Sequence, residues 1–396
     1  MDYKVKSSNR LNIYLMYLIA FFQGFVFYGP VATLYRQSRG ISMYQIFLIE
    51  SVFWILMISL EIPWGWFADR YGYKKTLVIS NILFFVSKIV FYKSFSFEMF
   101  IFERILLAIA ISGLSGCDVA LLYASIEEGK SQKVFGLYDA LNRCGYLIAS
   151  LISIIIVKFS IDKTASLTII PYGIAMILTL FINDVEVDIK EKPSLIDSFR
   201  NTLKNKQMII LIISIALVRE VVQATSVFLN QLQYIRSGID ISHFGILAVA
   251  IQIVNLSSAK SHILSDKFGK NNSIEMLIFF ITICCFSLIF TQNQILSVVS
   301  IMIVTGSMSL VNPIILEIQN KAIVTGDRAT VLSMHAMVGN VVAAVVNPFI
   351  GKAADTSVQA AFTVCLFIAV CGYGFFFIYK KMSLASEIEE KINLSN

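Results

Sequence analysis

Acids and bases stand singly inside long apolar runs of this 396-residue chain, and they are the side chains equipped to do chemistry. They are Glu50, Glu61, Glu103, Arg104, Asp118, Asp139, Arg143, Arg219, Glu220, Glu317 and Lys321. A charge near the centre of a bilayer costs at least about 2.5 kcal/mol on insertion scales, so such a residue normally faces a cavity or a partner. Asp139 and Arg143 are four residues apart and share one helix face. At 1.5 Å rise per residue, Asp118, Asp139 and Arg143 fall at similar depths, about 12, 8 and 14 Å from the same membrane side. Arg219 lies about 17 Å into its own run, near the midplane, with Glu220 directly after it. Two uses fit these groups. One carboxylate takes up and releases a proton while Arg143 or Arg219 holds an anionic substrate. Alternatively, Asp118, Asp139 and Arg143 form an ion cluster that only fixes helix packing. Glu61 is placed to bond backbone opened near Pro63, and Glu317 with Lys321 reads as a structural pair.

The elements that must hold these residues follow from composition. Hydrophobic residues make up 57% and charged residues 15%, against about 25% charge in soluble domains. A helix crosses the hydrocarbon core with about 20 apolar residues. That ruler predicts an all-α membrane protein with twelve transmembrane helices, at 11–35, 44–68, 76–92, 99–126, 134–157, 165–182, 208–234, 244–264, 274–290, 295–323, 331–350 and 358–379. The expected organisation is an N-terminal six-helix bundle (1–183), a charged cytoplasmic linker (184–206) and a C-terminal six-helix bundle with a short cytoplasmic tail (207–396). Lys and Arg crowd one set of loops, which places both termini in the cytoplasm. The net charge of +6 is therefore a topology signal and a contact with anionic lipid. It gives no support to nucleic-acid binding.

The chain also repeats itself. Asp69-Arg70-Tyr71-Gly72-Tyr73-Lys74 follows the second span, and Asp266-Lys267-Phe268-Gly269-Lys270 follows the eighth. The two loops are half a chain apart (266 − 69 = 197). Gly72 permits the tight reversal, Gly65 lets another helix approach, and Asp69 at a helix end can accept neighbouring donors. The stretch from Gly65 to Lys75 resembles the GxxxDRxGRK signature of the major facilitator superfamily. Gly65, Asp69, Arg70, Gly72 and Lys74 match, and Tyr73 departs from the usual basic residue. Glu61-Ile62-Pro63-Trp64-Gly65 and the run from Ser115 to Tyr123 are similar to small bacterial drug-efflux members. The resemblance implies the major facilitator fold, two pseudo-symmetric bundles that rock around a midplane site. It makes Gly65, Asp69, Arg70, Gly72, Lys74, Asp266, Lys267 and Gly269 a gating motif. Helices three, six, nine and twelve become outer supports.

Other chemistries are excluded on specific residues. The six cysteines show no CxxC pair or zinc spacing. Gly129-Lys130-Ser131 ends like a P-loop, but Ala124 occupies the position of the first glycine. No enzyme activity, cofactor or metal is expected. The resemblance favours proton-coupled export of amphipathic or drug-like molecules by a monomer in a bacterial plasma membrane. A small polar or anionic metabolite clamped by Arg219 is the first alternative. A non-transporting membrane scaffold or receptor is the second. Asp118, Asp139, Arg143, Arg219, Glu220, Glu50, Glu61 and Arg104 are the candidate proton or substrate residues.

Overall fold

The computed structural model describes residues 10–126, 131–184, 205–322 and 328–395. The linker assigned to 184–206, the Gly129-Lys130 pair and several loop lysines used for orientation lie mostly or wholly outside them. The described chain is helical: α1 (Arg10–Gln23), α2 (Ala32–Ser38), α3 (Met43–Tyr71), α4 (Tyr73–Lys93), α5 (Phe97–Leu114), α6 (Cys117–Ser125), α7 (Ser131–Phe159) and α8 (Ile161–Leu180). After the linker come α9 (Lys206–Gln223), α10 (Asn230–Arg236), α11 (Phe244–Asn255), α12 (Ser261–Phe268), α13 (Lys270–Phe290), α14 (Gln294–Ala322), α15 (Arg328–Thr356) and α16 (Val358–Ser395). Among the described residues, eleven helices are long and apolar enough to span a membrane.

The expected first span is the one that falls short. Residues 24–28 leave the helix, a short 3-10 turn (Gly29–Val31) carries Pro30, and α2 then resumes. Backbone freed at membrane depth needs partners from neighbouring helices, and α8 supplies two. The Tyr172 hydroxyl donates to the Gln23 carbonyl at 2.8 Å, and the Phe27 N–H donates to Thr168 Oγ1 at 3.1 Å. The fourth span is broken too. Gly116, at φ +82°, separates α5 from α6.

The half-chain repeat is written in the backbone. Gly72 and Gly269 share nearly one conformation, φ 89°, ψ 157° and φ 80°, ψ 154°, and each caps the next long helix. Gly40 and Gly238 also have positive φ, at 80° and 75°. Each ends its helix with the following residue's N–H reaching five residues back, Ile41 to Arg36 at 3.1 Å and Ile239 to Tyr234 at 2.9 Å. Such left-handed caps favour glycine. They stand half a chain apart (238 − 40 = 198).

Contacts divide the chain into two compact units. One comprises Met1–Ile41, Val52–Lys190 and Ile241–Val249; the other comprises Ser42–Ser51, Glu191–Asp240 and Ala250–Asn396. Two segments thus group with helices from the opposite half of the sequence. Small residues explain this. A Cβ on Gly245 would overlap the Ser150 carbonyl oxygen, and one on Gly351 would lie 2.7 Å from Phe47 Cβ. Asp355 Oδ1 then accepts the Met43 N–H at 2.6 Å, at the start of α3.

Candidate functional site

The second unit holds a buried polar group on α9 and α15. α9 carries Arg219 and Glu220 in its last turn and runs into a π-helical segment, Ala224–Leu229. Such bulges recur at functional positions in helices. Glu220 is 1% exposed, and Asn347 of α15 adjoins its carboxylate. Asn347 is fully buried, yet neither of its side-chain polar atoms has a hydrogen-bond partner, nor does Glu220 Oε1. Unsatisfied buried polar atoms are uncommon and ask for a cause. His335 and Gly339, four residues apart on α15, share a face. His335 is buried with Nδ1 unpartnered. Gly339 makes room for the half-buried Arg219, because a Cβ there would lie 2.5 Å from Nη2. The arrangement of Glu220, Arg219 and Asn347 offers one carboxylate, one guanidinium and one amide. It can hold a proton, and it can bind a carboxylate, phosphate or hydroxyl-rich solute.

The first unit holds a second buried cluster. Arg36, Lys88 and Glu103 are 4%, 3% and 1% exposed. Lys88 Nζ donates to the Tyr28 hydroxyl at 3.0 Å and lies 4.8 Å from the ring centres of both Phe84 and Tyr172. The Arg36 guanidinium lies 5.2 Å over Phe91, and Arg104 lies 4.9 Å over Phe53. Aromatic faces of this kind hold a desolvated cation. Glu103 interacts electrostatically with both Lys88 and Arg36. α4, the third span and an expected outer support, buries Lys88 within this unit. Arg36, one residue past the expected end of the first span, is drawn inside by α2.

The remaining candidates are placed as follows. Asp139 Oδ2 accepts from Arg143 Nε at 2.8 Å, with both side chains at least half exposed. Asp118 instead accepts from the Tyr138 hydroxyl at 3.1 Å and from the Val119 N–H at 2.7 Å, in the first turn of α6. Glu50 is buried and Glu61 exposed, both on α3. Glu317 accepts from Lys270 at 2.6 Å and from Lys321 at 2.9 Å, a structural pair enlarged by one lysine. In the signature loop, the Arg70 guanidinium lies 5.3 Å from the Trp66 ring. A Cβ on Gly65 would meet nothing within 4 Å. Asp69 lies in the last turn of α3, Lys74 in the first turn of α4, and Asp266 and Lys267 are exposed on α12.

The sequence pattern of the Major Facilitator Superfamily matches residues 13–347. The chain belongs to this superfamily. That superfamily is one of multi-pass membrane transporters rather than of enzymes. The fold agrees with solved transporters of low sequence identity. The nucleoside transporter NupG superposes with a TM-score of 0.78 at 17% identity, over 94% of this chain and 99% of that one. A D-xylose-proton symporter gives 0.74 at 12%, over 94% and 98%. A bacterial homologue of the human lysosomal transporter Spinster, inward-facing and unoccupied, gives 0.73 at 15%, over 95% and 97%. An uncharacterized MFS-type transporter of Bacillus subtilis (strain 168), YfiU, is 30% identical over 148 residues. That match covers 36% of this chain and 26% of its relative.

Sequence reasoning reached Arg219 and Glu220 through their depth. In the sequence Asn347 is one polar residue among several in the spans, and Gly339 carries no group that marks it. The signal for Gly339 was its spacing, four residues after His335 and eight before Asn347.

Proposed function

We propose that the protein moves a small polar solute by alternating access, with Arg219 binding an anionic or hydrogen-bond-accepting group and Glu220 carrying the coupling proton. The observation behind this reading is the buried Glu220–Asn347 pair beside Arg219, with acceptor and donor atoms left open. The names of two similar structures, a nucleoside transporter and a sugar-proton symporter, support a polar solute. The plasma membrane with cytoplasmic termini is the setting that the loop charges favour. Proton-coupled export of amphipathic or drug-like compounds remains the second reading. It is favoured by the contiguous rings of Phe21, Phe22, Phe25 and Phe27, with centroids 5.0–6.3 Å apart in successive contacts.

Flux into proteoliposomes separates the two. Under the polar-solute reading, a panel of nucleosides, sugars and organic anions contains a transported solute, and Arg219→Ala raises its half-saturation concentration. The expected rise is about tenfold or more, since a hydrogen bond to a charged group is worth ~1.5–3 kcal/mol. Hydrophobic dye extrusion with unchanged kinetics in Arg219→Ala would instead favour the second reading.

A further inference from the structure

The second unit has a cavity of about 600 Å³ where three helices start or end beside a fourth. The starts of α9 and α13 form one side, and the last turn of α14 and the middle of α16 form the other. Among the described residues, three lysines line it, Lys270, Lys321 and Lys380, and no acidic side chain does. Their acid partners stand outside the lining. Lys270 and Lys321 share the single carboxylate of Glu317, and Lys380 pairs with Glu275. Three ammonium groups therefore answer to two carboxylates, which leaves one positive charge in excess. The start of α13 adds to it. Its cap residue is Gly269, which has no side chain with which to bond the first N–H groups of that helix. Those groups carry the positive end of a 21-residue helix. The rest of the lining includes Met208, Ile318 and Leu384, an apolar wall beside a cationic floor.

We propose that this cavity binds the phosphate headgroup of an anionic phospholipid. The position argues for lipid over a dissolved anion. The lysines lie at or near the ends of membrane-spanning helices, at the level where headgroups sit, and the apolar wall suits a glycerol backbone and the first carbons of an acyl chain. Basic pockets between spanning helices are known to take such headgroups. The inference does not depend on which solute the protein carries, and its test reads lipid binding rather than flux.

The full chain, purified in an uncharged detergent, would be titrated with phosphatidylglycerol, phosphatidylcholine and inorganic phosphate while its thermal unfolding midpoint is followed. A ligand of the folded state raises that midpoint according to its affinity. Phosphatidylglycerol is expected to raise it, and phosphatidylcholine is not. Lys321→Gln and Lys380→Gln should each weaken the apparent affinity about fivefold, the equivalent of ~1 kcal/mol per basic residue at a membrane surface. Both variants should fold, because Glu317 keeps Lys270 and Glu275 keeps the Tyr373 hydroxyl at 3.1 Å. A salt titration of the unsubstituted chain gives a reading that needs no variant, since added salt should weaken the phosphatidylglycerol shift. Equal shifts with phosphatidylcholine, or unchanged affinity in both lysine variants, would overturn the proposal. So would inorganic phosphate reproducing the whole shift, which would assign the site to a soluble anion.

Discussion

Glu220→Gln proteoliposomes are expected to equilibrate solute without concentrating it. With one proton moved per solute, a gradient of one pH unit supplies about 1.4 kcal/mol, enough for about tenfold accumulation. The unsubstituted protein should approach that ratio, and the variant should stay near unity. Glutamine keeps the size of the side chain and can still meet Asn347, so the helix contact survives while the titrating group is lost. Exchange of labelled for unlabelled solute needs no net proton movement, and it should continue in the variant. The other acids are less suited to the role. Asp139 is ion-paired to Arg143 and more than half exposed. Asp118 is held by Tyr138 and by the backbone at a helix start. Glu103 shares its buried site with two cations, Lys88 and Arg36, instead of facing an open amide. Full accumulation by Glu220→Gln would remove this acid from the coupling step, whatever the solute.

What the sequence made legible were features set by local rules. Span length depends only on apolar run length, and eleven expected spans recur as long helices. The half-chain repeat was visible at Asp69–Gly72 and Asp266–Gly269 because a left-handed cap calls for glycine at one position. Depth along a helix is linear in residue number, so the midplane position of Arg219 and Glu220 could be counted. What stayed hidden depends on the path of the chain in space. Arg36 precedes a polar Ser-Arg-Gly turn and reads as a loop cation, yet α2 carries it under the Phe91 ring. Lys88 looked like a stray charge on a supporting helix. Of its three aromatic neighbours, Phe84 stands one turn earlier on α4, but Tyr28 and Tyr172 come from distant segments that no pattern local to α4 announces. The break in the first span was legible only in part: Pro30 can bend or interrupt a helix, but the partners of the opened backbone, Thr168 and Tyr172, lie 141 and 149 residues from the groups they bond. Asn347 became specific only when α15 placed it against Glu220.

The contact between α1 and α7 sets the other large expected effect. Gly24 and Gly145 face each other so closely that backbone meets backbone. A Cβ on Gly145 would overlap the Phe21 carbonyl oxygen and lie 3.2 Å from Gly24 Cα. A Cβ on Gly24 would overlap the Asn142 carbonyl oxygen and lie 3.0 Å from the Tyr146 nitrogen. The Asn142 amide then donates across the seam to the Ala20 carbonyl at 2.9 Å. Carbonyl oxygens in a helix cannot swing aside as a lysine tail can, so the whole helix must move. Gly145→Ala should destabilise by about 1–3 kcal/mol, the range for overpacking a tight interior. Gly145→Leu should leave no monodisperse protein after extraction. Gly136 lies on the same helix, and a Cβ there would meet nothing within 4 Å. Gly136→Ala should therefore gain helix propensity, up to about 1 kcal/mol. Thermal unfolding in detergent, with size-exclusion profiles of all three variants, measures the contrast. A wild-type profile and midpoint for Gly145→Leu would mean that α1 and α7 do not pack backbone to backbone. The break after Gln23 would then need another cause than the close seating of the residues that follow it.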